Sequence, residues 1–364
     1  MIIRTQNLNE SQEDAVSSCV SMMNCNHADI KLIWGPPGTG KTKTVACLLF
    51  SLLKLQTRTL TCAPTNTAIL QVASRLNRLV MDSLEHDTYS LGDIVLFGNV
   101  KRMKFSSHQG LFKFFLDYRV ENLMECFDPI TGWKANLLSM IQLLKFMEKS
   151  ANKKDSRELY KQDFGQQKEK LEFLMQTLYT HMPTSLISLE VVRKMLQAVN
   201  LLRSLGISLG QAKFKKTNFD CIDESISAYF QPLYVKRDEC LSILSSLCET
   251  VSLPKFYKRG GTKRVQVENF CLSNACLIMC TASSSMKLID TAKMKPVQFL
   301  VIDEAAQLKE CESTIPLQLS GLRRCILIGD ERQLPALVKS KVLPLLYLSL
   351  HLIIDFSLLI EDFL

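Results

Sequence analysis

The chain has 364 residues, 47% of them hydrophobic, and a formal net charge of +8. That is enough for about two domains with sizeable cores, and a moderately basic balance suits a polyanionic partner. Thirteen cysteines would permit a disulfide framework, but they are scattered and the opening MIIRTQNLNE has no apolar h-region. A secreted disulfide scaffold is excluded in favour of reduced thiols in the cytosol or nucleus. Cys271, Cys276 and Cys280 lack a paired C-x2-C and a nearby histidine, so no zinc site is expected there.

In chain order, IKLIW reads as a buried strand, KTVACLLFSLLKL as a helix apolar nearly all round, RTLTCA as a short strand and AILQVASRLNRLV as a second helix. The alternation stops and resumes at ACLIMCTA (275–282), VQFLVIDEA (297–305) and RCILIGD (324–330). Five apolar runs, each ending in a polar loop, predict a parallel sheet with helices on both faces and ligands at the carboxyl ends of its strands. Residues 83–274 are far too many for a loop. There GDIVLFGNV alternates like a strand, with RVQVENF (264–270) as its expected partner. NLLSMIQLLKFMEK and LISLEVVRKMLQAVNLLRSL carry apolar residues at helical spacing, as core or helix-pair seams. The basic run KFYKRGGTKR, with Lys255, Lys258, Arg259, Lys263 and Arg264, reads equally as a solvated turn or a phosphate-contacting edge.

Three motifs carry chemistry. In GPPGTGKTKT (35–44), glycines let backbone wrap around phosphate oxygens at the positive end of a helix. Lys41 then reaches the β- and γ-phosphates, and the Thr42 hydroxyl completes the shell of a Mg²⁺ ion. The residues expected to hold nucleotide are Gly35, Pro36, Pro37, Gly38, Thr39, Gly40, Lys41, Thr42 and Lys43. In VIDEAAQ (301–307), Asp303 at a strand end suits Mg²⁺, and Glu304 can orient or deprotonate a water, which points to hydrolysis. In LIGDERQLPAL (327–337), Gln333 would place an uncharged amide near the γ-phosphate.

These motifs, with LNESQ (8–12), CAPTNTA (62–68) and CTASSS (280–285), occur in the order of the superfamily 1 nucleic-acid helicases. The chain resembles their first motor domain, in the senataxin-like branch that also holds the nonsense-mediated-decay helicases. The resemblance implies an α/β fold: a RecA-like P-loop NTPase parallel sheet with a large inserted strand-plus-helical-arm subdomain. Its expected parts are 1–89 and 271–340 for the motor domain, 90–270 for an inserted barrel with a helical stalk, and 341–364 for an atypical apolar tail. It implies ATP and Mg²⁺ as cofactors, Gln12 on the adenine edge, and single-stranded RNA or DNA as partner. Pro64, Thr65 and Asn66, with Thr281 and Ser283, would contact the strand backbone, positioning it without reading its sequence. Location is expected in nucleus or cytoplasm, the resemblance slightly favouring the nucleus, with no membrane partner.

The family's second motor domain supplies arginines to the γ-phosphate, and residues 338–364 are too few for it. The last stretch is almost wholly apolar. Its length would suit a membrane span, but Pro344, His351 and Asp355 lie within it, so it reads as a tail foreign to the fold. Loss of a transition-state arginine costs on the order of 10³–10⁵ in rate, so ATP binding with feeble turnover and no unwinding is expected. The alternative is a non-catalytic, ATP-gated nucleic-acid-binding module or remnant.

Overall fold

The computed structural model describes residues 7–25, 27–86, 88–99, 102–103, 109–147, 154–211, 224–256, 262–291, 294–330 and 332. Gln333 and the tail 341–364 lie outside them, as do Lys258 and Arg259 of the basic run.

The chain divides into two compact units, 1–120 with 264–364, and 121–263. The first is built on one six-stranded sheet. Its strands are β1 (Asp29–Trp34), β2 (Thr59–Ala63), β3 (Ile94–Leu96), β4 (Leu277–Thr281), β5 (Phe299–Asp303) and β6 (Arg324–Gly329), in the order β1-β6-β5-β2-β4-β3. Every pairing is parallel. β2, β4 and β5 are buried at every position, which is why their sequences read as continuous apolar runs rather than alternating ones. Helices α1 (Glu10–Ser21), α2 (Lys41–Lys54) and α3 (Asn66–Met81) pack a common core on the sheet through Val16, Leu48, Leu52, Ile69 and Leu76, all fully buried. β1 is an end strand, and its Leu32 and Trp34 alternate outward, each about half exposed.

Two local expectations are corrected. GDIVLFGNV does contain a strand, β3, but it pairs with β4 as a sixth strand of the main sheet. The stretch 90–120 therefore lies in the sheet-containing unit. RVQVENF is no strand: it lies in a helix spanning Lys263–Asn274 (α9). The alternating valines mislead, because Val265 is exposed while Val267, Cys271 and Leu272 form the buried face, a helical spacing. The link into β3 is held by Arg119 of α4 (Leu116–Cys126). Its fully buried guanidinium donates to the carbonyls of Gly92 at 2.9 Å, Leu91 at 2.7 Å and Ile94 at 2.5 Å. Burial lowers its pKa from the ordinary value.

The second unit, among its described residues, is helical. α5 (Trp133–Lys145), α6 (Lys154–His181), α7 (Leu189–Gln211) and α8 (Glu224–Thr250) each pack on the next, and α8 packs back on α5. Leu137, Leu174, Leu202 and Leu244 are wholly buried in this bundle. No strand of the expected barrel occurs there among the described residues. Of the basic run, Lys263 is committed to the Met124 carbonyl at 3.2 Å and Arg264 to Asp117 at 3.3 Å. No helix among the described residues is long and apolar enough to cross a membrane.

Candidate nucleotide and strand-binding site

The phosphate-type loop leaves β1 at Trp34 and enters α2 at Lys41. Gly40 caps this helix with φ +86°, and a Cβ there would stand 2.7 Å from the Gln12 amide nitrogen. The left-handed backbone favours glycine, and a side chain there would push the Gln12 amide off the loop. Lys41 folds back on the loop, its Nζ donating to the Gly35 carbonyl at 2.6 Å. Thr39 Oγ1 donates to the Pro36 carbonyl at 2.8 Å and Lys43 Nζ to the Asn7 carbonyl at 2.5 Å. Pro37 and Gly38 are exposed at the crest, and Thr42 is half-buried in the first turn of α2.

Gln12 meets this loop from α1. Its Oε1 accepts the Asn9 N–H at 3.1 Å, and Asn9 Oδ1 accepts the Gln12 N–H at 2.9 Å, a reciprocal capping box. Its Nε2 donates to the Thr39 carbonyl at 2.8 Å. A primary amide has two N–H donors and two lone pairs, so one of each is left for a ligand. The family resemblance implies a ligand role for Gln12; that it also ties α1 to the loop is visible only in three dimensions.

The strand β6, between β1 and β5, brings the other motifs to the loop. Gly329 at its end accepts the Gly35 N–H at 3.2 Å, and Asp303 sits in register with Ile328 one strand away. Asp303 is 3% exposed, and its Oδ1 has no hydrogen-bond partner. Burial, then the neighbouring Glu304 charge, pushes its pKa up to about 6; the Glu304 N–H and the Lys41 charge act in the opposite sense. A buried carboxylate oxygen without a hydrogen-bond partner beside a phosphate-type loop is able to ligate a cation, so the residues present fit Mg²⁺. Glu304 itself is half-buried with φ +52° and ψ +43°.

A second cluster forms where β2 and β4 end side by side. Ala63 is in register with Thr281, and the Ala282 N–H donates to the Ala63 carbonyl at 3.1 Å. This sets the turn Pro64–Thr65–Asn66 beside Thr281–Ser283. Thr65 caps α3, its hydroxyl accepting the Ala68 N–H at 3.1 Å. Thr65 and Ser283 are exposed, Pro64 and Asn66 half-buried. Thr281 is mostly buried and shares a 2.7 Å hydrogen bond with Ser284, so its hydroxyl is tied into the turn. A shallow pocket of about 230 Å³, lined by Phe97, Gly98, Leu116, Asp117, Ser284 and Lys287, opens at the ends of β3 and β4.

The structure thus gathers Gln12, the loop and Asp303–Glu304, and separately Pro64–Asn66 with Thr281–Ser283. Features that sequence reasoning left without a role are Asp330, 2% exposed beyond β6, and Arg332, whose guanidinium lies 6.0 Å from the Trp34 ring. A strand ending in Gly-Asp was the only sign of the first, and nothing along the chain announces the second.

A glycine-rich loop entering a helix, with an acidic pair on a buried strand of a parallel sheet, defines a P-loop NTPase of RecA-like architecture. Comparison with known proteins gives the particular family. The AAA domain family matches residues 7–229 and 250–341, and the chain belongs to it. It is similar to helicase sen1 of Schizosaccharomyces pombe, 24% identical over 92% of this chain and 17% of that protein. It is also similar to the probable helicase senataxin of Homo sapiens, 23% identical over 93% of this chain and 11% of that protein. ATP-dependent helicase NAM7 of Saccharomyces cerevisiae is 37% identical over 26% of this chain and 10% of its own length. The chain is a superfamily 1 helicase-type motor domain of the senataxin and nonsense-mediated-decay branch, spanning less than a fifth of the length of these relatives.

Proposed function

We propose that these 364 residues bind ATP with Mg²⁺ and couple its hydrolysis to holding single-stranded RNA or DNA. The observation that carries this is the buried Asp303 carboxylate, with an oxygen left unpartnered, facing the Lys41 charge. Lys41 lies on the Gly35 carbonyl, within reach of the loop whose N–H groups would surround the β- and γ-phosphates, and its ammonium would pair with them. Thr42 and Asp303 would hold the metal, which would supply positive charge against the phosphates. Glu304 orients the attacking water and takes up its proton. Gln12 offers its remaining donor and acceptor to the adenine edge.

Pro64, Thr65, Asn66, Thr281 and Ser283 lie at the carboxyl ends of β2 and β4, where they touch the strand backbone without reading bases. Gln333, outside the described residues, is assigned to the γ-phosphate from its sequence motif and the family resemblance. The family's transition-state arginines belong to a second motor domain, outside the matched motifs, so the 364 residues by themselves are expected to turn ATP over slowly and not to separate strands. The location proposed is nucleus or cytoplasm.

The test is ATP hydrolysis with and without oligo-RNA and oligo-DNA, for the wild type, Lys41→Ala and Glu304→Gln. Strand-stimulated turnover lost in both variants is the expected result. Tight ATP binding that alters strand affinity without turnover would favour the ATP-gated binding module. Absence of ATP binding would overturn the proposal.

A further inference from the structure

The Asp303-Glu304 pair is followed by a turn whose geometry is over-determined. Glu304 takes a left-handed conformation at φ +52°, which is strained for a non-glycine residue and persists only where neighbours fix it. Three contacts do so. The Gln307 N–H donates to the Glu304 carbonyl at 3.0 Å, closing a short 3-10 turn over Ala305–Gln307. The next side chain, Leu308, is buried and anchors the exit. On the other side β6 lies so close that a Cβ on Gly329 would stand 3.2 Å from Ala306 N and 3.4 Å from Ala305 N, so the turn cannot move towards the strand.

Within this clamp the Gln307 Nε2 donates to Glu304 Oε2 at 3.2 Å. Among the described residues it is the one side chain that hydrogen-bonds the Glu304 carboxylate. We infer that Gln307 is the positioning residue for Glu304: its amide grips one carboxylate oxygen and leaves the other free to meet a water. A neutral donor suits that task, because a lysine or arginine there would offset the negative charge a base needs. The inference rests on the hydrolytic reading above and adds a residue to it, one that touches neither nucleotide nor metal.

A carboxylate released from this grip samples several rotamers, and misplacement by an ångström costs up to a hundredfold in rate. Gln307→Met keeps length and removes the donor; Gln307→Asn keeps the amide but shortens its reach, and serves if the methionine variant fails to fold. Single-turnover hydrolysis with protein in excess over labelled ATP is measured for wild type, Gln307→Met, Glu304→Gln and the double variant, alongside ATP affinity. The expected result is a roughly tenfold slower step in Gln307→Met with ATP affinity unchanged, and no further loss when it is added to Glu304→Gln, as befits two residues acting as one unit. A readout without nucleotide accompanies it: the side-chain amide protons of Gln307 in ¹⁵N-labelled protein move towards the free-glutamine position in Glu304→Ala. A Gln307→Met rate equal to or above wild type, an equal extra loss in the Glu304→Gln background, or an amide signal indifferent to Glu304→Ala overturns the inference. Wild-type protein that binds no ATP sinks the functional proposal and this one with it, whereas normal wild-type hydrolysis with an unaffected variant sinks this one alone.

Discussion

The two compact units are equally regular and differ in what their regularity serves. In residues 121–263 the described helices bury leucines such as Leu174 and Leu202 against one another, and none of the three motifs that carry chemistry lies there. In the sheet-containing unit the strands end in the residues that matter: Trp34 before the loop, Ala63 before Pro64, Thr281, Asp303 and Gly329. A parallel sheet stacks its carboxyl ends along one edge, so distant segments reach one place. A helical bundle spreads its surface residues over its length and gathers nothing comparable.

Substitutions can break that contrast. The largest effect is expected at Glu304: Glu304→Gln should slow ATP turnover by about 10²–10⁴-fold with ATP binding retained. Next is Arg119→Ala, which strands the carbonyls of Leu91, Gly92 and Ile94 in the interior. A loss of roughly 3 kcal/mol or more should be seen in denaturant unfolding. Leu174→Ala should cost the bundle about 3 kcal/mol, yet leave ATP affinity where it was. If it weakens ATP binding, the contrast between the units fails.

Asp303→Asn sharpens the contrast with a pH signature. The folded carboxyl titrates near 6 against an ordinary 3.8, so between those values the folded state holds more protons than the unfolded. Stability that is fully present below about 4 is lost as pH rises through 6. The asparagine variant should therefore be more stable than the ligand-free wild type at pH 7.5, by on the order of 2 kcal/mol. The gain should shrink as pH falls from 6 towards 4, in thermal unfolding followed across that range. The smallest effect is expected on the bundle surface. Arg203→Ala, which loses the pair with Glu172 at 3.1 Å, should change stability by no more than about 0.5 kcal/mol.

Sequence showed the sheet and the loop clearly, because a continuous apolar run ending in glycines or acids has few other readings. It failed where a short segment could satisfy two periods. Val265 and Val267 alternate as a strand would, but tertiary packing buries Val267 with Cys271 and makes a helix. β3 has only three residues, too few to show which sheet it would join. The site's chemistry was legible residue by residue, but not its mutual support. Nothing in a string of letters says that Gln12 would spend half its amide on Asn9 and Thr39, or that Gly329 would take the Gly35 N–H while lying against Ala305 and Ala306. Gln307 stands three positions after Glu304 in VIDEAAQ, and its hydrogen bond to Glu304 depends on the left-handed turn between them.

The convergence of Lys41, Thr42 and Asp303 on one triphosphate is tested by a crystal structure of this chain with a non-hydrolysable ATP analogue and Mn²⁺ in place of Mg²⁺. One anomalous peak is expected between the Thr42 hydroxyl and the Asp303 carboxylate, with the terminal phosphates inside the loop and the Lys41 ammonium on them rather than on the Gly35 carbonyl. A metal peak away from Asp303, or nucleotide bound elsewhere with Lys41 still on Gly35, would contradict it.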